Sequence, residues 1–306
     1  MSARRCRNSS RRLGPRSAWS AAAAAALAAC AGPPPAGRDG EAPPAAPDYR
    51  TIAAAQNERV AGLRRVYGYG VLELRWQDER GVHAEPQVDV ELWLDLPWRT
   101  ALRVEKIGET LFWIGSDESS FWLFDLLNDD DRRAVLRDRG DEAAGAMDAF
   151  GLQPDSLLDL MAIRPLPAEA PPTARIGHDA ARRAWVVAGL DAADRRRLYF
   201  DVATLRPVAV ELLDTNGEVA LESALNRYAS VTTPGVSILA YPKQAMWIDI
   251  TDRAGGGFAK LHLNEMTADM ADQPLGSVFD LDRLMRNLRP DRVDGEPGRA
   301  MAGTGQ

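Results

Sequence analysis

One large, curved antiparallel β-sheet with few helices, a mainly β chain of the α+β class, is the fold that this sequence of 306 residues predicts. Three observations predict it. Runs of alternating apolar and polar residues recur before Asn128 and after Pro172, with the two-residue period of strands that have one dry and one wetted face. Turn-forming residues separate these runs at short intervals, among them Asn216-Gly217, a pair that suits a two-residue hairpin. From Asn128 to Ile163 the alternation stops and helix formers dominate, so helix interrupts the strands once, not after every strand as in a parallel α/β sheet.

The first 29 residues stand apart from the fold. Six arginines (Arg4, Arg5, Arg7, Arg11, Arg12 and Arg16) and no acid precede a short alanine-rich apolar run, the layout of an export signal too short to stay as a spanning helix. The run ends in Leu27-Ala28-Ala29-Cys30, which resembles the lipobox of bacterial lipoproteins, where the cysteine receives a diacylglycerol and becomes the mature N-terminus. A plain cleavable signal with an incidental cysteine is the alternative. The resemblance implies a signal over 1–29, a lipidated Cys30 and a membrane anchor that does not span. Ala31, where an aspartate would retain the protein at the inner membrane, implies the outer membrane, on its periplasmic side. The rest of 30–48 is a tether rich in Pro, Ala and Gly with nothing to bury.

These assignments exclude several chemistries. With Cys6 in the leader and Cys30 as anchor, no cysteine remains for a disulfide, a thiol nucleophile or a metal. Setting the six leader arginines aside leaves 31 basic residues against 44 acidic ones, a net charge of −13. Nucleic acid, which needs a basic footprint, is excluded as a partner.

The domain proper is expected over 49–289. Tyr49–Val66 has Ile52, Ala55, Val60, Leu63 and Val66 near helical spacing. Gly68 and Gly70 are expected to end that helix and open a strand carrying Leu72, Leu74 and Trp76 on one face. After a turn at Gln77–Gly81, Val88, Val90, Leu92, Leu94 and Leu96 alternate with Asp89, Glu91, Trp93 and Asp95, and Pro97 closes the strand. "RTALRVEKIG" and "ETLFWIGSDESSFWLFDL" supply three more strands. The stretch 128–163 reads as a helical lid, with Asn128 or Asp129 capping a first helix and Leu157, Leu158, Met161 and Ile163 on a last one. Strands resume with "RRAWVVAGL", "RRLYFDVATLRPVAVELLD", "EVALESALNRYASV", "QAMWIDITD" and "FAKLHLNEM". The tail 290–306 is poor in apolar residues and reads as disordered.

Reacting groups are not apparent. His83, His178 and His262 are isolated from one another, and no H-E-x-x-H, G-x-S-x-G or Walker loop is present. Asp129-Asp130-Asp131 lacks the alternate spacing of an EF-hand loop. The reading is therefore a non-enzyme without metal or cofactor. What stands out is apolar and aromatic content on half-wetted strands, more than a few short helices can fill. Such a sheet either closes into a barrel or leaves a cavity.

The layout resembles the LolA/LolB-like superfamily of outer-membrane lipoprotein carriers and receptors. "NERVAGLRRVYGYGVLELRW" entering the sheet, the helical stretch between strands, "LYFDVATLRPVAVELLDTNGEVALESALNRY" and "YPKQAMWIDI" carry the resemblance over residues 51–285. It implies an incomplete barrel with an N-terminal helix and a helical lid over an apolar inner face that holds acyl chains. Leu72, Leu74, Trp76, Val88, Val90, Leu92, Leu94 and Leu96 would line that face, and Leu157, Leu158 and Met161 would descend from the lid. Trp98, just past Pro97, has two readings: an ordinary turn aromatic that packs locally, or a ring that touches the bilayer, where amphipathic rings settle. Two functions follow: a carrier or receptor for acyl chains of lipid or lipoprotein, or a structural or sensing lipoprotein that binds an envelope protein partner.

Overall fold

The computed structural model describes residues 45–78, 81–139, 154–191, 195–271, 273 and 275–295. The leader, Cys30 and most of the tether lie outside the described residues. So does the middle of the expected lid, 140–153.

Helix α1 (Tyr49–Ala61) opens on Asp48, whose Oδ1 accepts from the Thr51 amide at 2.7 Å, and closes at Gly62. It is one turn shorter than the apolar spacing predicts. Val66 belongs instead to β1 (Arg65–Asp78), and Gly68 and Gly70 lie inside that strand, not at a helix end. Then follow β2 (Gly81–Asp95), β3 (Arg99–Lys106), β4 (Glu109–Ser116), β5 (Ser120–Asp125) and β6 (Arg133–Asp138). After α2 (Pro154–Leu160) come β7 (Arg175–Asp179), β8 (Ala184–Ala188), β9 (Arg196–Asp201), β10 (Pro207–Leu213), β11 (Val219–Ser230), β12 (Lys243–Asp252) and β13 (Phe258–Thr267). Two short helices, α3 (Leu275–Val278) and α4 (Leu281–Leu288), and β14 (Arg292–Asp294) end the described chain.

All 14 strands form one sheet, in the order β14-β6-β5-β4-β3-β2-β1-β13-β12-β11-β10-β9-β8-β7. The sheet is curved and not closed into a barrel. Every neighbouring pair is antiparallel except β14 with β6. Two meanders, β1 to β6 and β7 to β13, are joined by the pairing of β1 with β13.

This topology determines what covers each face. The chain between β6 and β7 must travel from one side of the sheet to the far edge, and it carries α2 across. The chain between β13 and β14 must return from the middle to the β6 side, and it carries α3 and α4. The two crossings use opposite faces. One apolar cluster gathers Val135 of β6, Leu92 and Leu94 of β2, Leu261 of β13 and Trp185 of β8 with α1 and α2, so the sheet curves around this inner face. A second cluster puts Trp93, Trp113, Trp122 and Phe124 against Val278, Phe279 and Leu284 on the outer face. The polar face expected of β2 is thus covered at Trp93, which is 3% exposed.

Three expectations are corrected. Most of the described lid is not helical: Asn128–Asp131 is a turn in which Asn128 Oδ1 accepts from the Asp130 amide at 3.1 Å, and Arg133–Asp138 is β6. Val135 faces the inner core and Ala134 and Leu136 the outer one, so a strand dry on both sides shows no alternation. β7 was not expected, because "RIGHD" has no apolar period. It is held by pairing with β8 alone. The tail is structured at β14: the Asp291 and Arg292 amides both donate to Arg132 O (2.7 and 3.1 Å), and Arg133 pairs with Asp294. Hydrogen bonds and ion pairs hold this strand, with no buried apolar row to announce it.

Candidate functional site

At the centre of the inner face a void of about 30 Å³ remains. Its walls are Leu72 and Leu74 of β1, Leu102 and Val104 of β3, Phe112 and Ile114 of β4, and Ile250, Ala259 and Leu261 of β12 and β13. Leu157 of α2 forms the roof. Every wall is apolar. A space this size fits one or two waters, but a water needs polar partners, and these walls supply none.

Of the residues expected to line a cavity, Leu72, Leu74 and Leu157 do so. Trp76, Val88, Val90, Leu92, Leu94, Leu158 and Met161 are buried in the same inner core, with Leu96 partly buried against it. The β2 row is packed against its neighbours and contributes no wall. Trp98 sits apart, 44% exposed on the β2–β3 connection, its ring covered at 5.1 Å by the Arg139 guanidinium.

The roof is fastened in an unusual way. The end of α2 and the segment after it present a row of main-chain carbonyls, and side chains from three elements reach up and donate to them. From α1, Gln56 Nε2 donates to Ala162 O (2.8 Å) and Arg164 O (3.0 Å), and Asn57 Nδ2 to Leu166 O (2.9 Å). From β11, Ser223 Oγ donates to Leu160 O (2.7 Å), and from β12, Gln244 Nε2 donates to Met161 O (3.0 Å). Arg59 also donates to Ala162 O, and further to Gln244 Oε1 (2.7 Å) and Gln56 Oε1 (3.0 Å). Gln56, Ser223 and Gln244 are fully buried. The acceptors of these Arg59 bonds are neutral, and burial pulls the guanidinium pKa down, with Tyr228 nearby opposing the shift. Burial likewise raises the Tyr228 hydroxyl to about 12, against the pull of Arg59 and Arg206.

Ion pairs on the outer side of α2 tie it to both meanders. Asp155 meets Arg139 at 2.6 Å beyond β6, and Asp159 meets Arg196 of β9. Being partly exposed, such pairs contribute on the order of 0.2–1 kcal/mol each.

The end of α2 is a Schellman turn: Ile163 N donates to Leu158 O (3.0 Å) and Ala162 N to Asp159 O (2.8 Å), while Leu158 and Ile163 pack together in the core. Ala162 holds the left-handed position, φ 52°, that glycine usually fills. Ala162→Gly removes about 1 kcal/mol of backbone strain, so the Ile163 amide is expected to exchange about fivefold more slowly with deuterium. Unchanged or faster exchange would show that the roof is not limited by this turn.

Sequence reasoning missed Gln56, Asn57, Arg59, Ser223 and Gln244. A signal existed: Ser223 stands between Leu221 and Leu225, Gln244 precedes Met246, Ile248 and Ile250 on one face, and Gln56 lies between Ile52 and Val60. A lone polar residue in an apolar row needs a partner, and here the partner is the roof. The three histidines each lie against a tryptophan: His83 on Trp76 (4.9 Å), His178 by Trp185 (5.1 Å) and His262 on Trp247 (4.5 Å). Among the described residues no three His, Cys, Asp or Glu side chains converge on a metal position, and no helix is long and apolar enough to cross a membrane.

No family model matches this chain, and no curated protein matches its sequence. Solved structures do. An outer-membrane lipoprotein-sorting protein domain from Vibrio parahaemolyticus is 12% identical with a TM-score of 0.45, over 71% of this chain and 90% of that one. A LolA superfamily protein from Nitrosomonas europaea is 13% identical with a TM-score of 0.44, over 72% and 93%. A DUF1329 family protein from Desulfovibrio piger is 9% identical with a TM-score of 0.43, over 71% and 93%. The solved structures to which this chain is similar thus include LolA superfamily and lipoprotein-sorting proteins.

Proposed function

We propose that the inner face receives an acyl chain of a lipid or lipoprotein, with α2 and the segment after it moving aside to admit it. The protein then serves as a non-catalytic carrier or receptor in envelope lipid or lipoprotein traffic, held at the outer membrane through Cys30. The observation that carries this reading is a wholly apolar void under a roof fastened by side-chain hydrogen bonds to its main chain. In about 30 Å³ no acyl chain fits, so the roof must move.

Magnitudes permit that movement. Releasing the five hydrogen bonds from neutral donors costs about 0.5–1.5 kcal/mol each, because water replaces the partner, and releasing Arg59 costs about 2 kcal/mol. Each methylene transferred from water contributes about 0.8 kcal/mol, so ten of them offset the release. Leu157, Leu158 and Met161 lose little if they repack on the ligand.

A second reading rests on how little space remains. An inner core closed around so small a void suits a rigid scaffold that binds an envelope protein partner with its outside.

The test is native mass spectrometry with lipid extraction on the full chain carrying Cys30→Ser, purified without detergent. Bound acyl chains, or uptake of added palmitate, are expected. Ala259→Leu, which overfills the void, is expected to reduce uptake about tenfold at a cost of about 1–3 kcal/mol in stability. A Cys30→Ser chain with Ala259 unchanged that stays empty with palmitate and phospholipid in excess sinks the carrier reading and favours the scaffold.

A further inference from the structure

The β11–β12 connection, Val231–Pro242, carries no charged side chain. At its tip Leu239 is 95% exposed, Ile238 71% and Val236 42%. Single exposed apolar residues are ordinary, but three on one uncharged loop form a patch that asks for a partner. Ile107 makes the contrast: it is equally exposed, yet it stands alone in a tight turn between Lys106 and Glu109.

The loop is not a loose excursion. Val231 N donates to Pro242 O (2.9 Å) and Ala240 N to Ser237 O (2.8 Å), which closes a 3₁₀ turn over Ile238–Ala240. Ala268 N donates to Thr232 O (2.7 Å) and ties the base to the end of β13. Pro242 packs so closely on Gly62 that a Cβ there would lie 2.9 Å from its Cγ. A structured stub therefore holds Ile238 and Leu239 out into solvent.

We propose that this loop docks the protein on a lipid bilayer, with Ile238 and Leu239 entering the boundary between head groups and acyl chains. The sheet supplies a second contact on the same rim. Arg65 pairs with Asp95, Tyr67 with Thr267, and Lys243 with Ser230, so the β2–β3 connection bearing Trp98 leaves the sheet at the same end as the β11–β12 loop. Four strand spacings separate them, about 19 Å. Two apolar points set apart along one rim orient the protein on a surface as one cannot.

The charges on this rim determine the kind of contact. Arg65 and Arg99 both pair with Asp95, at 3.4 and 3.8 Å, Arg99 also meets Glu118 at 4.0 Å, and Arg139 over the Trp98 ring pairs with Asp155 at 2.6 Å, so each of these cations is compensated and the attraction is apolar. Salt screens charges and leaves apolar insertion intact, so docking does not require anionic lipid. The proposal is independent of what the inner face binds. If both hold, the membrane contact adjoins the roof's fastening, because the loop runs directly into Lys243 and Gln244, which bond Arg59.

The experiment places an environment-sensitive NBD dye on the loop of the full chain, at Ser237→Cys, with Cys6→Ser and Cys30→Ser. The readout is local, so any other membrane attachment of the chain does not mimic it. With phosphatidylcholine vesicles the dye's emission is expected to shift to the blue and brighten, equally at low and high salt. Adding Ile238→Asp and Leu239→Asp is expected to abolish the shift while leaving the thermal melt unchanged. The same dye at Ile107→Cys, on the opposite rim, is expected not to respond. No shift at 237, a shift that survives the aspartates, or one that vanishes with salt overturns the proposal. Palmitate uptake by the aspartate variant is measured in parallel: uptake retained with the shift lost confirms docking separately from the cavity. A shift in a protein that never takes up palmitate leaves docking standing and removes the carrier reading.

Discussion

Gly70→Ala is expected to destabilise the protein by about 3 kcal/mol, a fall in melting temperature of about 6–12 °C for a domain of this size. Gly70 lies on β1, the strand that joins the two meanders, at the irregularity where Tyr69 pairs with Glu265 and Gly70 with Leu263. There β13 bulges towards it. A Cβ at Gly70 would stand 2.1 Å from His262 O and 2.7 Å from Leu263 Cα. Both are main-chain atoms, and neither can swing aside as a side chain can. The methyl must therefore part β1 from β13 at the seam between the halves. Gly68, two residues away on the same strand, is the control. Its nearest neighbour would be the flexible Met266 Cγ at 3.1 Å, and Gly68→Ala is expected to cost less than about 1 kcal/mol. Thermal melts of the two variants decide the matter. Equal, small effects would mean that β13 does not approach β1 as this register requires.

Why some of the fold is legible in the residues and some is not follows from where each signal originates. A strand with one dry face writes its own pattern, and β2 does so through Val88, Val90, Leu92 and Leu94. Asn216-Gly217 marks the β10–β11 turn because Gly217 adopts φ 81°, a value few other residues tolerate. β6 fails to signal because it is covered on both faces, and β7 and β14 because main-chain pairing at the two edges holds them. The burial of Trp93 depends on α3 and α4, nearly two hundred residues later, and no local period carries that information. The candidate site divides the same way. The apolar row is local, and Leu72, Leu74 and Leu157 are found from it. Whether the row encloses a space or is filled depends on how α1 and α2 pack, which is a property of volumes. The fastening residues are the intermediate case: Gln56, Ser223 and Gln244 are visible as breaks in apolar rows, but what they hold becomes clear only when the crossing from β6 to β7 brings Leu160, Met161 and Ala162 above them.

The fastening leads to the second large effect. Arg59→Met keeps the aliphatic stem and removes the guanidinium, with its bonds to Ala162 O and Gln244 Oε1. Hydrogen bonds from a charged donor contribute about 1.5–3 kcal/mol, and the desolvation that lowers the Arg59 pKa offsets part of this. A loss of about 2 kcal/mol from the closed roof makes its opening about 30-fold more frequent. The reporters are the amides of Met161, Ala162 and Ile163, which donate within the α2 end (2.8–3.0 Å) and exchange with deuterium only when it opens. They are expected to lose about 30-fold in protection, while amides of β2 and β13 change little. If the inner face takes acyl chains, uptake in this variant is expected to become faster by a similar factor, because opening then precedes binding. Uniform loss of protection across the sheet would show that Arg59 supports the whole core and does not fasten the roof. Arg59→Lys separates charge from geometry: one ammonium on a flexible stem cannot bridge Ala162, Gln56 and Gln244 together, so partial protection is expected. Full protection with lysine would mean that the charge alone holds the roof, and the hydrogen-bond account would fail.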